Sequence, residues 1–243
     1  MATLTSTAII CSVRSHGEHG AIVRALTEEA GLVTGYVRGA RSRTMRPILL
    51  PANIVQAEFR ARTSEQLAGL NVELAHSRAP IMGEALAADA IAWVTSLTAS
   101  VLPEGQPYPD IYHALAGLLD AIEAAPAARG WGTALVRYEF LLLARMGFAP
   151  DINRCVVTGN DSELTHVSPK SNQAVSRAAA SGHEHKLLPL PSFLLFGGAS
   201  TVPEILDGLK LTGHFLELSL FPDRRRDIFD ARERMISRFR RTE

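Results

Sequence analysis

Four arginines lie close together in the segment GYVRGARSRTMRPILLP, which spans residues 35–51. They are Arg38, Arg41, Arg43 and Arg46, and no acidic residue lies between them, although the formal net charge of the chain is zero. A guanidinium group is planar, stays charged, and can donate two hydrogen bonds to one phosphate. The segment therefore predicts a phosphate-binding loop, and the alternative is a solvated surface loop that binds nothing.

Further arginines flank this loop. Arg60 and Arg62 lie on the polar face of NIVQAEFRAR (53–62), and Arg14 and Arg24 lie in the first predicted hairpin. Tyr36 and Phe59 are the only aromatic residues among the first 75, so few side chains could stack on bases. We expect the binding to be mostly electrostatic and strongly salt-dependent. The predicted DNA-binding residues are Arg14, Arg24, Arg38, Arg41, Arg43, Arg46, Arg60 and Arg62.

A second basic segment, RRRDIFDARERMISRFRR, spans residues 224–241. Helical spacing places Arg234, Arg238 and Arg241 on one face. Two interpretations stay open, a solvated helix face or a secondary site for an acidic partner such as nucleic acid or an acidic peptide.

Metal and catalytic chemistry have weaker support. Cys155, His166, His183 and His185 fall in one polar segment, but position 158, where a second zinc ligand would stand, is a threonine. We predict no metal and no cofactor. The sequence contains no phosphate loop, dinucleotide fingerprint, nucleophile elbow or HExxH motif, so no catalytic site is predicted. A hydrolase remains an alternative because the members of a catalytic triad can be distant in sequence.

The secondary structure that must position these side chains differs between two regions of the chain. Five short apolar segments without room for crossover helices predict a small antiparallel barrel of the oligonucleotide-binding (OB) type. Alanine-rich and apolar segments then predict helices over 80–103, 109–125, 131–147 and 204–220, the last as one bent or two short helices, and a final helix opening at Pro222–Asp223. The five strand segments are AIICSVR (8–14), AIVRALT (21–27), LVTGYVR (32–38), NIVQAEFRAR (53–62) and LAGLNVELA (67–75).

The predicted fold class is thus α+β, with an OB-fold barrel over residues 1–78 and a helical domain over 79–243. The second domain includes an irregular segment at 150–191. Composition is that of a globular protein, 47% hydrophobic and 21% charged, with no apolar run long enough to cross a membrane. Two cysteines in 243 residues suit a reducing cytoplasm.

In their order and spacing, these segments resemble the RecO family of bacterial recombination mediators. The resemblance is carried by IICSVRSHGEHGAIVRALTEEAGLVTGYVRGARSR, by YEFLLLARMGFAPDINRC (138–155), by VSPKSNQAVS (167–176) and by LTGHFLE (211–217). It implies an OB fold and a helical second domain that bind single- and double-stranded DNA and anneal complementary strands. It also implies action with RecR, and in many species RecF, to load RecA onto DNA coated by the single-stranded DNA-binding protein SSB, whose acidic C-terminal tail some members engage.

One departure from the family concerns its zinc finger. Several members carry two C-x-x-C pairs; here Cys155 matches the first position, while Thr158 and, approximately, Ser176 and Ala179 stand at the others. The finger is therefore predicted to be degenerate, without zinc, and held by packing and hydrogen bonds. The leading hypothesis is a non-catalytic recombination mediator, and the alternative is a helical adaptor whose barrel binds protein rather than DNA.

Overall fold

Alternating apolar and polar residues organise the first third of the chain into strands. The computed structural model describes residues 2–63, 66–126, 129–221 and 226–241. In the fourth strand Val55, Ala57 and Phe59 are buried while Gln56 and Arg60 are exposed, as a period of two predicts. The strands are β1 (Ala2–His16), β2 (Gly20–Thr27), β3 (Gly31–Val37), β4 (Ile54–Ala61) and β5 (Ala68–His76).

These strands close into a barrel in the order β1-β2-β3-β5-β4. A five-stranded Greek-key barrel is the architecture of the OB fold, so the predicted fold class is confirmed. One pairing differs from the antiparallel prediction, because β3 and β5 run parallel through Gly35–Ala68 and Tyr36–Gly69. Five strands in a closed ring cannot all alternate in direction, and one neighbouring pair must therefore be parallel.

The first strand is long enough to pair with two neighbours. Residues Ala2–Ile9 pair with β4, and residues Ala8–His16 pair with β2. The register with β2 shifts between Ile10 and Ser12, where Cys11 forms a bulge. Bulges bend a strand and increase its twist, which lets β1 pass from one side of the barrel to the other.

Helices α1 (Ala85–Val101) and α2 (Pro109–Ala124) belong to the same compact unit as the barrel, together with Ile228–Met235 of the last helix, α7 (Arg226–Arg241). The ring of Phe229 lies 5.3 Å from that of Trp93, and the guanidinium of Arg232 lies 5.5 Å from the same Trp93 ring. Aromatic and cation–π contacts thus attach this part of α7 to α1. Pro222 and Asp223, predicted to open α7, lie outside the described residues.

The region that follows the barrel is helical, as predicted, but the second compact unit also contains a four-stranded sheet of order β6-β8-β7-β9 within the segment expected to be irregular. Strands of two to five residues are too short to reveal a period in the sequence. The elements of this unit before α7 are α3 (Gly132–Arg145), β6 (Asp151–Cys155), β7 (Leu164–Ser168), β8 (Gln173–Ser176), α4 (Arg177–Ala180), β9 (Leu188–Pro189), α5 (Ser192–Phe196) and α6 (Val202–Phe215).

Helices α3 and α6 approach closely because α6 carries a glycine at the contact. A Cβ atom at Gly208 would lie 2.7 Å from a methyl of Val136. One turn further, the hydroxyl of Thr212 donates to the buried carboxylate of Glu139. The segment predicted as one bent or two short helices is α6 continued by a π-helical turn, Leu216–Leu220.

The predicted domain division, 1–78 and 79–243, falls between β5 and the short 3-10 turn that precedes α1, and it stays a prediction. In the described part of the chain, no helix is both long enough and apolar enough to span a bilayer.

Barrel closure depends on a glycine at the parallel pairing. A Cβ atom at Gly35 would lie 2.6 Å from the Cβ of Leu70. We expect Gly35→Ala to lower the free energy of unfolding by about 1–3 kcal/mol, because overpacking would push β3 and β5 apart. Gly69→Ala, on the partner strand, is the matched control, since its new Cβ would meet no atom closer than 3.8 Å. Urea denaturation measures both variants, and equal stabilities would contradict the prediction.

Candidate nucleic-acid interface

The segment between β3 and β4 covers one end of the barrel. Its apolar residues face inward, where Ala40 and Leu49 join the barrel core and Met45 and Ile48 pack against it. The segment folds on itself as well, because the Arg46 N–H donates to the Ser42 carbonyl at 3.1 Å and the Leu49 N–H donates to the Met45 carbonyl at 3.0 Å. It is therefore an ordered turn structure rather than an open loop, and we call residues 38–46 the arginine loop.

The four predicted phosphate-binding side chains of the arginine loop are all exposed. Among the described residues, none of the four has an acidic partner. In this short segment the apolar residues face the barrel core and the arginines face solvent. The four positive charges therefore lie at the same end of the barrel. The residues are Arg38, Arg41, Arg43 and Arg46.

A buried polar network fixes the C-terminal end of this segment. The side-chain amide of Asn53 donates to the carbonyls of Pro47 and Ile48, both at 3.0 Å, and its oxygen accepts the Arg78 N–H at 2.9 Å. The Arg78 guanidinium donates to the carbonyl of Ala52 at 2.7 Å. Asn53 and Arg78 are completely buried, so these bonds replace water that cannot reach them.

The Arg78 guanidinium also meets two carboxylates of α2. It donates to Asp120, and its Nε lies 3.2 Å from Glu123. Sequence reasoning missed Arg78, because an arginine just after a strand is usually exposed and nothing near it in the sequence indicates burial. It missed Asn53 as well, although a polar side chain directly before an alternating strand is a weak signal of a turn anchor.

The other predicted DNA-binding arginines divide into two pairs. Arg14, on β1, and Arg62, just past β4, are exposed. Arg24 donates to the Ala99 carbonyl and lies 3.3 Å from Glu104, so its charge is paired with an acidic residue of the first unit. Arg60 donates to Glu58 at 2.7 Å, and this bond lowers the pKa of the Glu58 carboxyl below its usual value. The structure therefore brings together the loop arginines but not all eight residues.

Of the three C-terminal arginines, Arg234 belongs to the first unit, while Arg238 and Arg241 belong to the second. The Arg234 Nε lies 2.9 Å from the carboxylate of Asp89. Arg241 is exposed at the end of α7 and Arg238 is half-buried. The secondary basic site therefore stays a prediction, with Arg234 already engaged by an acidic residue.

The second unit contains the predicted remnant of a zinc finger. The sulfur of buried Cys155 accepts the N–H groups of Thr158, at 3.5 Å, and Ser176, at 3.2 Å. These are two of the positions at which the resemblance places further cysteines. Burial raises the pKa of the Cys155 thiol, but hydrogen bonds from Ser176 and Thr158 outweigh it and lower the pKa to about 6. Within the described residues, no three His, Cys, Asp or Glu side chains are grouped to hold a metal.

Comparisons with known proteins agree with this architecture. Residues 1–78 match the family model "Recombination protein O N terminal", and residues 85–227 match "Recombination protein O C terminal". A "DNA repair protein RecO" of Gluconacetobacter diazotrophicus is 40% identical over 233 residues, which are 94% of this chain and 92% of that protein. The protein of the same name from Caulobacter vibrioides is 37% identical, over 95% of this chain and 95% of its own length. The one from Rhodospirillum centenum is also 37% identical, over 98% of this chain and 94% of its own length.

The OB-fold barrel, the helical region and these matches define a protein of DNA repair and recombination. The chain belongs to the RecO family.

The anchoring network leads to a prediction at Asn53. We expect Asn53→Ala to destabilise the protein by about 2–3 kcal/mol, because it removes three hydrogen bonds and leaves the buried Arg78 N–H without its acceptor. Amide hydrogen exchange at Ile48 and Leu49 should accelerate, since both residues lie in the segment that Asn53 holds. Asn71→Ala is the control, because Asn71 is exposed on β5. Unchanged exchange rates in the Asn53 variant would show that the segment is held by its apolar residues alone.

Cys155 leads to a prediction about pH. Since its pKa in the folded protein lies below the ordinary value of 9.0, the thiolate contributes stability fully above about pH 9, and that contribution is lost as the pH falls through about 6. We expect Cys155→Ser to lose this pH-dependent part of the unfolding free energy, measured by urea denaturation between about pH 5 and pH 9. Cys11→Ala is the control, because burial raises the pKa of Cys11 to about 12 and keeps it neutral. Parallel stability curves for wild type and Cys155→Ser would contradict the prediction.

Proposed function

We propose that this protein is a non-catalytic, DNA-binding mediator of recombination and that its arginine loop binds the phosphate backbone. The observation that carries the proposal is the exposure of four guanidinium groups, none with an acidic partner in the described part of the chain, on a segment whose apolar residues are fixed in the barrel core. An ordered segment loses little conformational entropy on binding, so its charges are already in place for a polyanion. We also assign phosphate binding to the exposed Arg14 and Arg62, and a mainly structural role to Arg24.

Arg60 is a secondary contributor to the same surface. Its ion pair with Glu58 is exposed, and exposed pairs are worth little, so a phosphate can compete for this guanidinium. Contacts of this kind carry no sequence information, which is consistent with binding to both single and double strands.

Annealing follows from the same electrostatics. Two complementary strands repel each other through their phosphates, and a basic surface that displaces counterions from both lowers this repulsion. Base pairing then supplies the favourable free energy, and no covalent bond is made or broken. The proposal therefore requires no catalytic residue and no nucleotide hydrolysis.

Membership of the RecO family supports the assignment of protein partners. We assign to this chain action with RecR, and with RecF where it is present, in loading RecA onto SSB-coated DNA, and contact with the acidic C-terminal tail of SSB. We also assign a cytoplasmic location, which the two free cysteines support.

The test is fluorescence anisotropy with a labelled single strand across a salt series. In the test variant the four loop arginines become alanine. We expect affinity near about 0.1 M salt to fall on the order of 100-fold and the log–log salt slope to become shallower by about 3, because four phosphate contacts are lost. The matched control removes the same charge from exposed residues of the second unit, namely Arg154, Lys170, Lys186 and Lys210.

The control should keep the salt slope of the wild type, and circular dichroism should show that both variants are folded. Equal affinities and slopes for the wild type and the loop variant would overturn the proposal. Binding to DNA would then have to be assigned to the C-terminal arginines, or the barrel to a protein ligand.

A further inference from the structure

A pocket of about 420 Å³ lies between the arginine loop and the end of the β1–β2 hairpin. On the hairpin side it is lined by Val13, Ser15 and Ala21, and on the loop side by Ala40 and Leu49. Gly20, Arg41 and Arg46 complete the lining. Its volume falls in the range of roughly 300–1,000 Å³ typical of sites for small ligands.

Strand register explains why space remains here. Ser15 is paired with Ala21, and His16 with Gly20, in the last two pairs before the hairpin turn. Gly20 has no side chain because the ring of Tyr36 packs against it, where a Cβ atom would come within 2.2 Å of the phenol oxygen. The small residues Ala21 and Ala40 leave an opening beside the hairpin that larger side chains would fill.

The chemistry of the lining combines three features. The side chains of Val13, Ala21 and Leu49 offer an apolar wall to which a flat ring can pack. The guanidinium groups of Arg41 and Arg46 can bind phosphate and can also stack on a base. The hydroxyl of Ser15 can donate or accept a hydrogen bond at a base edge. A nucleotide, which joins an aromatic base to a phosphate, matches all three.

We propose that this pocket receives one unstacked base of a single strand while Arg41 and Arg46 bind the neighbouring phosphates. This inference rests on the proposed function, since it assigns a base-binding role to the same surface. Bases of a duplex are stacked and paired, and removing one from the stack costs a few kcal/mol. The pocket therefore favours single strands over duplexes, although the phosphate contacts alone serve both.

The test uses single strands that carry the fluorescent base 2-aminopurine, placed either in the interior or at an end, because unstacking raises its fluorescence. Ser15→Trp fills the pocket from an exposed position of β1. Thr5→Trp is the matched control, because Thr5 is exposed on the same strand and pairs with Glu58, away from the pocket. A duplex of the same sequence completes the set.

We expect wild type and Thr5→Trp to raise the fluorescence and Ser15→Trp not to raise it. Ser15→Trp should weaken single-strand binding by about tenfold, the value of one stacked base, and leave duplex binding unchanged. A fluorescence increase from the interior probe indicates that the pocket binds an internal base. An increase from the end probe alone indicates that it binds a terminal nucleotide. Either result supports base binding in the pocket. If Ser15→Trp behaves like Thr5→Trp, the pocket binds no base and the inference is wrong.

A second measurement needs no variant. A strand of abasic sites keeps its phosphates but has no base to insert, so we expect wild type to bind it about tenfold more weakly than a normal strand. Equal binding would overturn the pocket but leave the phosphate-binding loop intact. The two variants separate failure of this inference from failure of the proposed function. If the four-arginine variant loses binding and Ser15→Trp has no effect, the inference about the pocket is wrong but the proposed function stands.

Discussion

The geometry of the arginine loop depends on one completely buried guanidinium group, that of Arg78. A buried charge without partners is costly, and here two carboxylates of α2 and the carbonyl of Ala52 supply them. Because Ala52 and Asn53 end the segment that follows the arginine loop, the network ties that segment to both β5 and α2. The arginine loop is therefore positioned from beneath by Asn53 and Arg78, both of which are completely buried.

The arginines of the first unit differ in whether they have an acidic partner on another element of the fold. Arg24, Arg78 and Arg234 lie within ion-pair distance of acidic side chains, and each connects two elements of the fold. The arginines of the loop are exposed and have no such neighbour among the described residues. A zero net charge conceals this division, because the acids of the chain neutralise the structural arginines and leave the loop positive.

The barrel could be predicted from sequence because its strands are long enough to show alternation, most clearly in β4, and because turns separate them. The arginine loop could be predicted from its charge alone. The parts that could not be predicted depend on distant residues: the carboxylates that meet the buried Arg78, those of Asp120 and Glu123, lie more than forty positions further along the chain. The short strands β6–β9 likewise carry no period, so their pairing is decided by tertiary contacts.

Barrel closure joins parts of the chain that are far apart, since Ala2 pairs with Ala61 and β3 meets β5 only after the intervening loop and β4 are in place. Pairings with such sequence separation form slowly during folding. A ligand that binds only the closed barrel shifts the equilibrium towards it by mass action. Under the proposed function, a polyanion bound to the loop also acts as a folding ligand, so the barrel gains thermal stability from DNA and loses this gain at high salt.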